Sequence, residues 1–302
     1  ENNKRIAKNT LMLYVRMAIV MCVSIYTSRV YLYQLGVSDY GIYNVIGGFI
    51  GMFTTLNSSL SASTQRFITY TLGKGEKEKL IDVFAASMNI HIVLGLLIVI
   101  VLETVGLWFL NNKLVIPVDR LVAANWVYQF VILSTFLSII QVPYNGLINA
   151  HEDMGTFAWL SVLDVSFKLG IAYVLLIAPF DKLIFYGLLL LIVYIIMTSI
   201  YRTYCYHHYE ECHYRIFWNG EIYKSMTSFA GWNIFGGLAW MLKDQGANVL
   251  LNLFFGPTIN AARAVALQVS SAITGFMYSF LSATNPQITK YYASGNVDEM
   301  HR

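Results

Sequence analysis

The chain has 302 residues, of which 57% are hydrophobic and only 12% charged, and its net charge is +3. Soluble domains carry about 25% charged residues, so this composition excludes a soluble globular protein and makes the bilayer the solvent. The small positive excess suits basic loops at a membrane surface and does not call for nucleic acid as a partner.

Lys4, Arg5 and Lys8 precede an apolar run that ends near residue 34. That run is too long for a signal segment and lacks a small-residue cleavage site, so it reads as a retained first helix. Further apolar segments follow at 40–72, 81–110, 119–149, 154–178, 182–206, 221–254 and 258–292. With 9–34 they make about eight, each meeting the roughly 20 residues that span a bilayer as helix. No alternating strand pattern suggests a barrel, and backbone in lipid must satisfy itself, so an all-α integral membrane protein is predicted. Loops on the N-terminal side carry eleven basic residues, against Lys113, Arg120 and Lys182 on the other side, which predicts a cytoplasmic N-terminus.

Residues 36–80 slide onto 256–300 without a gap, pairing Gly36 with Gly256, Val45 with Val265, Thr54 with Thr274 and Ser59 with Ser279. The same offset pairs Thr64 with Thr284, Ile68 with Ile288, Thr69 with Thr289 and Gly75 with Gly295. The second segment therefore matches the eighth. A six-helix unit over 1–218 is expected to be followed by the first two helices of a second unit over 219–302, which the chain leaves truncated. Six is even, so the two units run parallel about an axis along the membrane normal.

Polar residues form stripes on both matched helices. Thr54, Ser58, Ser61 and Gln65 recur at helical spacing on the second segment, and Ser270, Thr274, Tyr278 and Asn285 lie on the matching part of the eighth, with Arg263 on the same face. Such groups serve either helix packing or a hydrated cavity between the units.

Six basic residues fall inside the predicted spans: Arg16, Arg29, Arg66, Lys168, Lys243 and Arg263. Each charge costs roughly 2.5–3.5 kcal/mol at a helix centre unless it faces a cavity or a partner. Arg66 and Arg16 lie close enough to a helix end to snorkel. Lys168 has Asp164 one turn away and can pair with it. Arg29 and Arg263 have no acid within reach on their own helices, which makes them the leading candidates to meet an anionic substrate. The histidine-rich loop 205–214 fits no standard zinc spacing, and no metal site, catalytic group or phosphate loop is found. Pro143 is expected to bend the fourth segment.

The runs RVYLYQLGVSDYGIYNVIGGFIGMF, ASTQRFITYTLGKGE and INAHEDMGTFAWLSVLDVSFKLGIAYVLL resemble bacterial Wzx-type polysaccharide flippases. These belong with the lipid II flippase MurJ and the MATE exporters to the multidrug/oligosaccharidyl-lipid/polysaccharide exporter superfamily. The resemblance implies a MATE/MurJ-like bundle of 12–14 helices in two lobes, with a central cavity that opens alternately to each side. It implies a cargo of undecaprenyl-pyrophosphate-linked oligosaccharide, moved across the bacterial inner membrane for surface polysaccharide or lipopolysaccharide (O-antigen) synthesis. Basic residues on the first, second, seventh and eighth helices would line that cavity, which here means Arg16, Arg29, Arg66, Lys243 and Arg263. No enzyme activity or cofactor is implied, and a proton or sodium ion is the candidate coupling ion. Membrane lipids and other polysaccharide-assembly membrane proteins are the candidate partners. A MATE-type drug exporter shares this fold but carries cations, and would want carboxylates where this chain has basic groups. A membrane enzyme or a scaffold is less in keeping with short loops and matched polar stripes.

Overall fold

A computed structural model describes residues 2–296, apart from 52, 53, 115, 179, 180, 213–218 and 256. Its helices run in chain order as α1 (Asn2–Gly51), α2 (Thr54–Lys74), α3 (Lys77–Val101), α4 (Leu107–Asn112), α5 (Leu121–Ala150), α6 (Met154–Val174), α7 (Lys182–His208), α8 (Gly220–Phe255) and α9 (Pro257–Ser294). Helix α1 is interrupted at Gly36, whose φ of 76° and ψ of 168° lie where side-chain-bearing residues do not go. That break is the turn between the expected segments 9–34 and 40–72. A π-helical turn, Leu102–Gly106, joins α3 to α4. The carbonyl of Leu102 there accepts from the Tyr128 hydroxyl at 2.7 Å, and the half-buried Glu103 accepts from Gln129 Nε2 at 3.1 Å, so the acid in this span has a partner.

Five stretches are long and apolar enough to cross a membrane among the described residues: Lys8–Gly47, Lys77–Asn112, Val118–Ala150, Met154–Val174 and Lys182–His208. The chain is a multi-pass membrane protein. Leu97, Ile100, Trp126 and Ile195 stand exposed on the outer surface, as expected where lipid replaces water. Helix α5 is the hub, packing against α2, α3 and α7, while α1 packs on α6. The core divides into one cluster around Phe84, Leu147, Ile148 and Leu160 and another around Ile46, Leu102, Tyr128 and Ile132. Pro143 lies inside α5, where it removes the hydrogen bond that the Ile139 carbonyl would otherwise receive.

Helices α6 and α7 begin on aspartate caps. Asp153 Oδ1 accepts from the Thr156 amide at 3.2 Å, and Asp181 Oδ1 accepts from the amides of Leu183 and Ile184 at 3.0 and 3.1 Å. At the end of the bundle away from the N-terminus, Arg120 binds Asp181 through Nη1 at 2.6 Å and also holds both carboxylate oxygens of Asp39. One guanidinium thus ties the turn after Gly36, the start of α5 and the start of α7. Partial burial works to raise the Asp181 carboxyl, but Arg120 and the two α7 amides outweigh it and hold it below the usual carboxylate range.

Helices α8 and α9 pack on α2 and α1 near the N-terminal end of the bundle. The Ser63 hydroxyl donates to the Met226 carbonyl at 3.2 Å, and Ala283 is fully buried against Leu13 and Met154. Lys290 reaches Glu152, whose side chain is almost wholly buried, at 2.9 Å. The 220-residue offset reappears here in three dimensions. Helices α2 and α9 end in the same cap: Gly75 has φ of 71° and Gly295 of 76°. Glu76 N bonds back to Thr71 O at 3.4 Å, and Asn296 N to Tyr291 O at 3.0 Å. Gly73 moreover abuts Ala293, its own counterpart under that offset; a Cβ on Gly73 would lie 2.9 Å from the Ala293 Cβ and 2.9 Å from the Lys290 backbone.

Candidate functional site

A polar cavity of about 490 Å³ lies among α1, α2, α5, α6 and α7, within the range of 300–1,000 Å³ usual for small-molecule sites. Helix α1 contributes Arg16, α2 contributes Ser61, and α5 contributes Ser138, Gln141 and Asn145. Ser161, Asp164 and Lys168 come from α6, and Tyr194 and Tyr201 from α7.

Asp164 and Lys168 pair across one helical turn, with Nζ to Oδ2 at 2.7 Å. Lys168 also lies 5.6 Å from the centre of the Tyr194 ring, and its backbone carbonyl accepts from the buried Tyr31 hydroxyl. Pair and backbone are therefore fixed from two sides. Arg16 is held differently. Its guanidinium carbon lies 4.5 Å from the centre of the Phe157 ring, a contact that orients a cation without neutralising it. Among the described residues the buried Nε of Arg16 finds no acceptor, and the buried Oδ1 of Asn145 finds no donor. A desolvated group without a partner costs about 1–3 kcal/mol, so both atoms are open to a hydrogen bond from whatever fills the cavity, water or a solute. The cavity holds two basic groups against one carboxylate, and it presents a free donor and a free acceptor. An anionic molecule that also carries hydroxyls matches that arrangement.

Of the residues expected at a site, the cavity gathers Arg16, Lys168 and Ser61. Arg66 lies elsewhere, in a groove between α2 and α8 with its guanidinium carbon 4.3 Å from the centre of the Phe229 ring. Arg29 and Lys243 are exposed. Gln65 is half-buried on α2 without lining the cavity. The side chains of Thr54, Ser58 and Arg263 lie outside the described residues. On α9, Ser270 and Asn285 are exposed and Tyr278 is 68% exposed. Thr274 donates to its own helix at the Ser270 carbonyl at 2.7 Å, which satisfies the hydroxyl without any cavity.

The α5 contribution is absent from the sequence-derived candidates, although a signal was there. Ser134, Ser138, Gln141, Asn145 and Asn149 recur at spacings of four, three, four and four, one polar face on an otherwise apolar helix. Tyr194 and Tyr201 are one more aligned pair, two turns apart on α7.

No protein-family model matches the sequence, and no curated protein matches it either. Solved structures do match. An outward-facing multidrug resistance MATE family transporter of the MOP superfamily superposes with a TM-score of 0.81 at 14% identity, covering 100% of this chain and 67% of that one. MATE in its bent conformation gives 0.83 at 15% identity, with 100% and 68% covered. A MOP superfamily transporter from Pyrococcus furiosus, whose binding pocket is described as of reverse polarity and suggestive of a different function, gives 0.80 at 14% identity, with 100% and 67% covered. Identity this low speaks for architecture alone, and over its entire length the chain has the fold of the MATE transporters of the MOP superfamily.

Proposed function

We propose that the protein is a transporter of the polysaccharide-flippase type, which moves an undecaprenyl-pyrophosphate-linked oligosaccharide across the bacterial inner membrane by alternating access. In this reading residues 1–218 form one six-helix lobe, 219–302 begin the second, and the N-terminus is cytoplasmic. The observation that carries it is the charge of the cavity: Arg16 and Lys168 against Asp164 alone, with Asp164 already committed to Lys168 at 2.7 Å. Pyrophosphate cannot enter hydrocarbon unaided, and a fixed guanidinium replaces the water and counterions it must leave. The free acceptor of Asn145 suits a sugar hydroxyl, and Ser138 and Ser161, whose hydroxyls donate to their own helices, keep lone pairs that can accept from one.

The fold serves a MATE-type exporter of cations equally well, and cavity polarity is what favours the flippase. A lone carboxylate bound to a resident ammonium is a poor site for an organic cation.

The test places the full-length protein in vesicles with a fluorescent undecaprenyl-pyrophosphate-linked oligosaccharide, and follows its accessibility to an external glycosidase. In parallel, the same vesicles are assayed for uptake of the cationic dye ethidium. Oligosaccharide transport that falls at least tenfold in Arg16→Gln supports the proposal. Dye transport with no movement of the oligosaccharide would overturn it in favour of the exporter.

A further inference from the structure

Arg66 belongs to a second site, separate from the cavity. It lines a groove of about 410 Å³ where α2 meets α8, together with Tyr70, Ser225, Ser228, Phe229 and Trp232. The groove is amphiphilic along its length. Toward the helix ends lie Lys74, whose ammonium stands 4.8 Å from the centre of the Tyr70 ring, and the exposed Lys224. Glu221 is the acid on the first turn of α8, three residues before Lys224 and about two turns before Ser228. Arg66 lies eight residues before Lys74, about 12 Å deeper at 1.5 Å per residue. Phe229 and Trp232 lie nine and twelve residues beyond the start of α8, about 14 and 18 Å in.

Arg66 meets no carboxylate among the described residues. Its guanidinium carbon lies 4.3 Å from the centre of the Phe229 ring, and Phe67 packs edge-on against that same ring at 6.2 Å. Stacking of this kind leaves the in-plane N–H groups free to donate to a planar or tetrahedral anion. Trp232 is 73% exposed beyond it. Lys74 and Lys224 lie at the mouth, Arg66 and Ser228 stand at the depth of Phe229, and Trp232 lies deeper, so charge gives way to an apolar ring in the order of a lipid molecule: phosphate first, then acyl chain.

We infer that this groove between α2 and α8 is a binding site for an anionic membrane phospholipid, its phosphate on Arg66 and the start of its acyl chains on Phe229 and Trp232. The inference is independent of what the cavity transports. A lipid seated there bridges α2 and α8 directly, on the side of the bundle where the Ser63 hydroxyl bonds to the Met226 carbonyl at 3.2 Å, and so supports the packing of α8 on α2.

The test is tryptophan quenching by bromine-labelled acyl chains. The full chain is reconstituted in equal parts phosphatidylcholine and phosphatidylglycerol, with the bromine on one lipid or on the other. Brominated phosphatidylglycerol is expected to quench at least about twice as strongly as brominated phosphatidylcholine, and Trp232→Phe to remove the difference. Arg66→Gln abolishes the preference, and Phe229→Leu, which keeps the charge but removes the ring that holds it, halves it. Lys182→Gln makes the same change in net charge at the far end of the bundle and retains the preference. Equal quenching by the two lipids, an undiminished preference in Arg66→Gln, or its loss in Lys182→Gln would each overturn the site. So would loss of the preference on adding inorganic phosphate alone, because the site would then read a soluble anion.

Discussion

Arg16 and Arg29 share a helix and a side chain, yet only Arg16 lines the cavity, and Arg29 stands exposed. Thirteen residues separate them, which at 100° per residue turns Arg29 about 220° away from Arg16, and about 20 Å further along the axis. The inward face of α1 runs instead through Leu13, Thr27, Tyr31 and Leu35, all of them buried. Neighbouring acids, the criterion that favoured Arg29 in the sequence, say nothing of azimuth. Arg16 qualifies because α5, α6 and α7 enclose it, and its cation rests on Phe157 from α6 rather than on a carboxylate.

The largest effect that would break this contrast is functional. Arg16→Gln should lower oligosaccharide transport at least tenfold, a loss of about 1.4 kcal/mol or more of transition-state stabilisation, while Arg29→Gln changes it by less than about threefold. Reversed magnitudes in the vesicle assay would return the site to Arg29.

Next in size is the clamp at the far end, where a cation is fully committed to structure. Arg120→Met leaves Asp39 and Asp181 without the guanidinium that both hold. It should cost about 2 kcal/mol, a figure kept low because these groups are partly in contact with water. Thermal unfolding in detergent would register this as a lower Tm without any change in substrate preference.

Within the cavity, Asp164→Asn and Lys168→Met should each destabilise by about 1 kcal/mol, with the double variant close to either single one. A coupling energy of roughly 1 kcal/mol from that cycle would show the pair to be a structural unit, in contrast to Arg16. Additive effects would mean that the two side chains act separately.

The smallest effect concerns pH. Asp181 and Asp153 both have carboxyls held below the ordinary value, against the opposing pull of partial burial, by Arg120 and the α7 amides in one case and by Thr156 and Tyr204 in the other. A depressed pKa contributes stability that is complete above the unfolded value of about 4 and is lost as pH falls through the folded one. Tm should therefore hold steady from neutral pH down to about 5 and drop below about 4. Asp181→Asn should flatten that drop, and an unchanged acid limb would remove Asp181 from the account.

Much of the architecture was legible because lipid permits so few solutions. Long apolar runs became helices, and Gly36 broke the first of them where the run was expected to turn. The ends of the two matched stretches have local counterparts in the caps at Gly75 and Gly295 and in the contact of Gly73 with Ala293. The site was legible only in part. Lys168 and Asp164 could be paired from their spacing, and Arg16 and Ser61 stood among the candidates. The polar face of α5 went unassigned, and α9 was assigned a stripe whose Thr274 hydroxyl bonds instead to its own helix.

Composition and spacing already place the chain in a membrane, mark out most of its helices, and show one pattern written twice 220 residues apart. These follow from composition, spacing and local backbone chemistry, which act within one helix. Packing between helices sets which basic group enters a cavity, which stacks in a groove between α2 and α8, and which is consumed by a clamp. That choice depends on the rotation of each helix against neighbours distant in the chain, and a side chain's own segment carries no record of it.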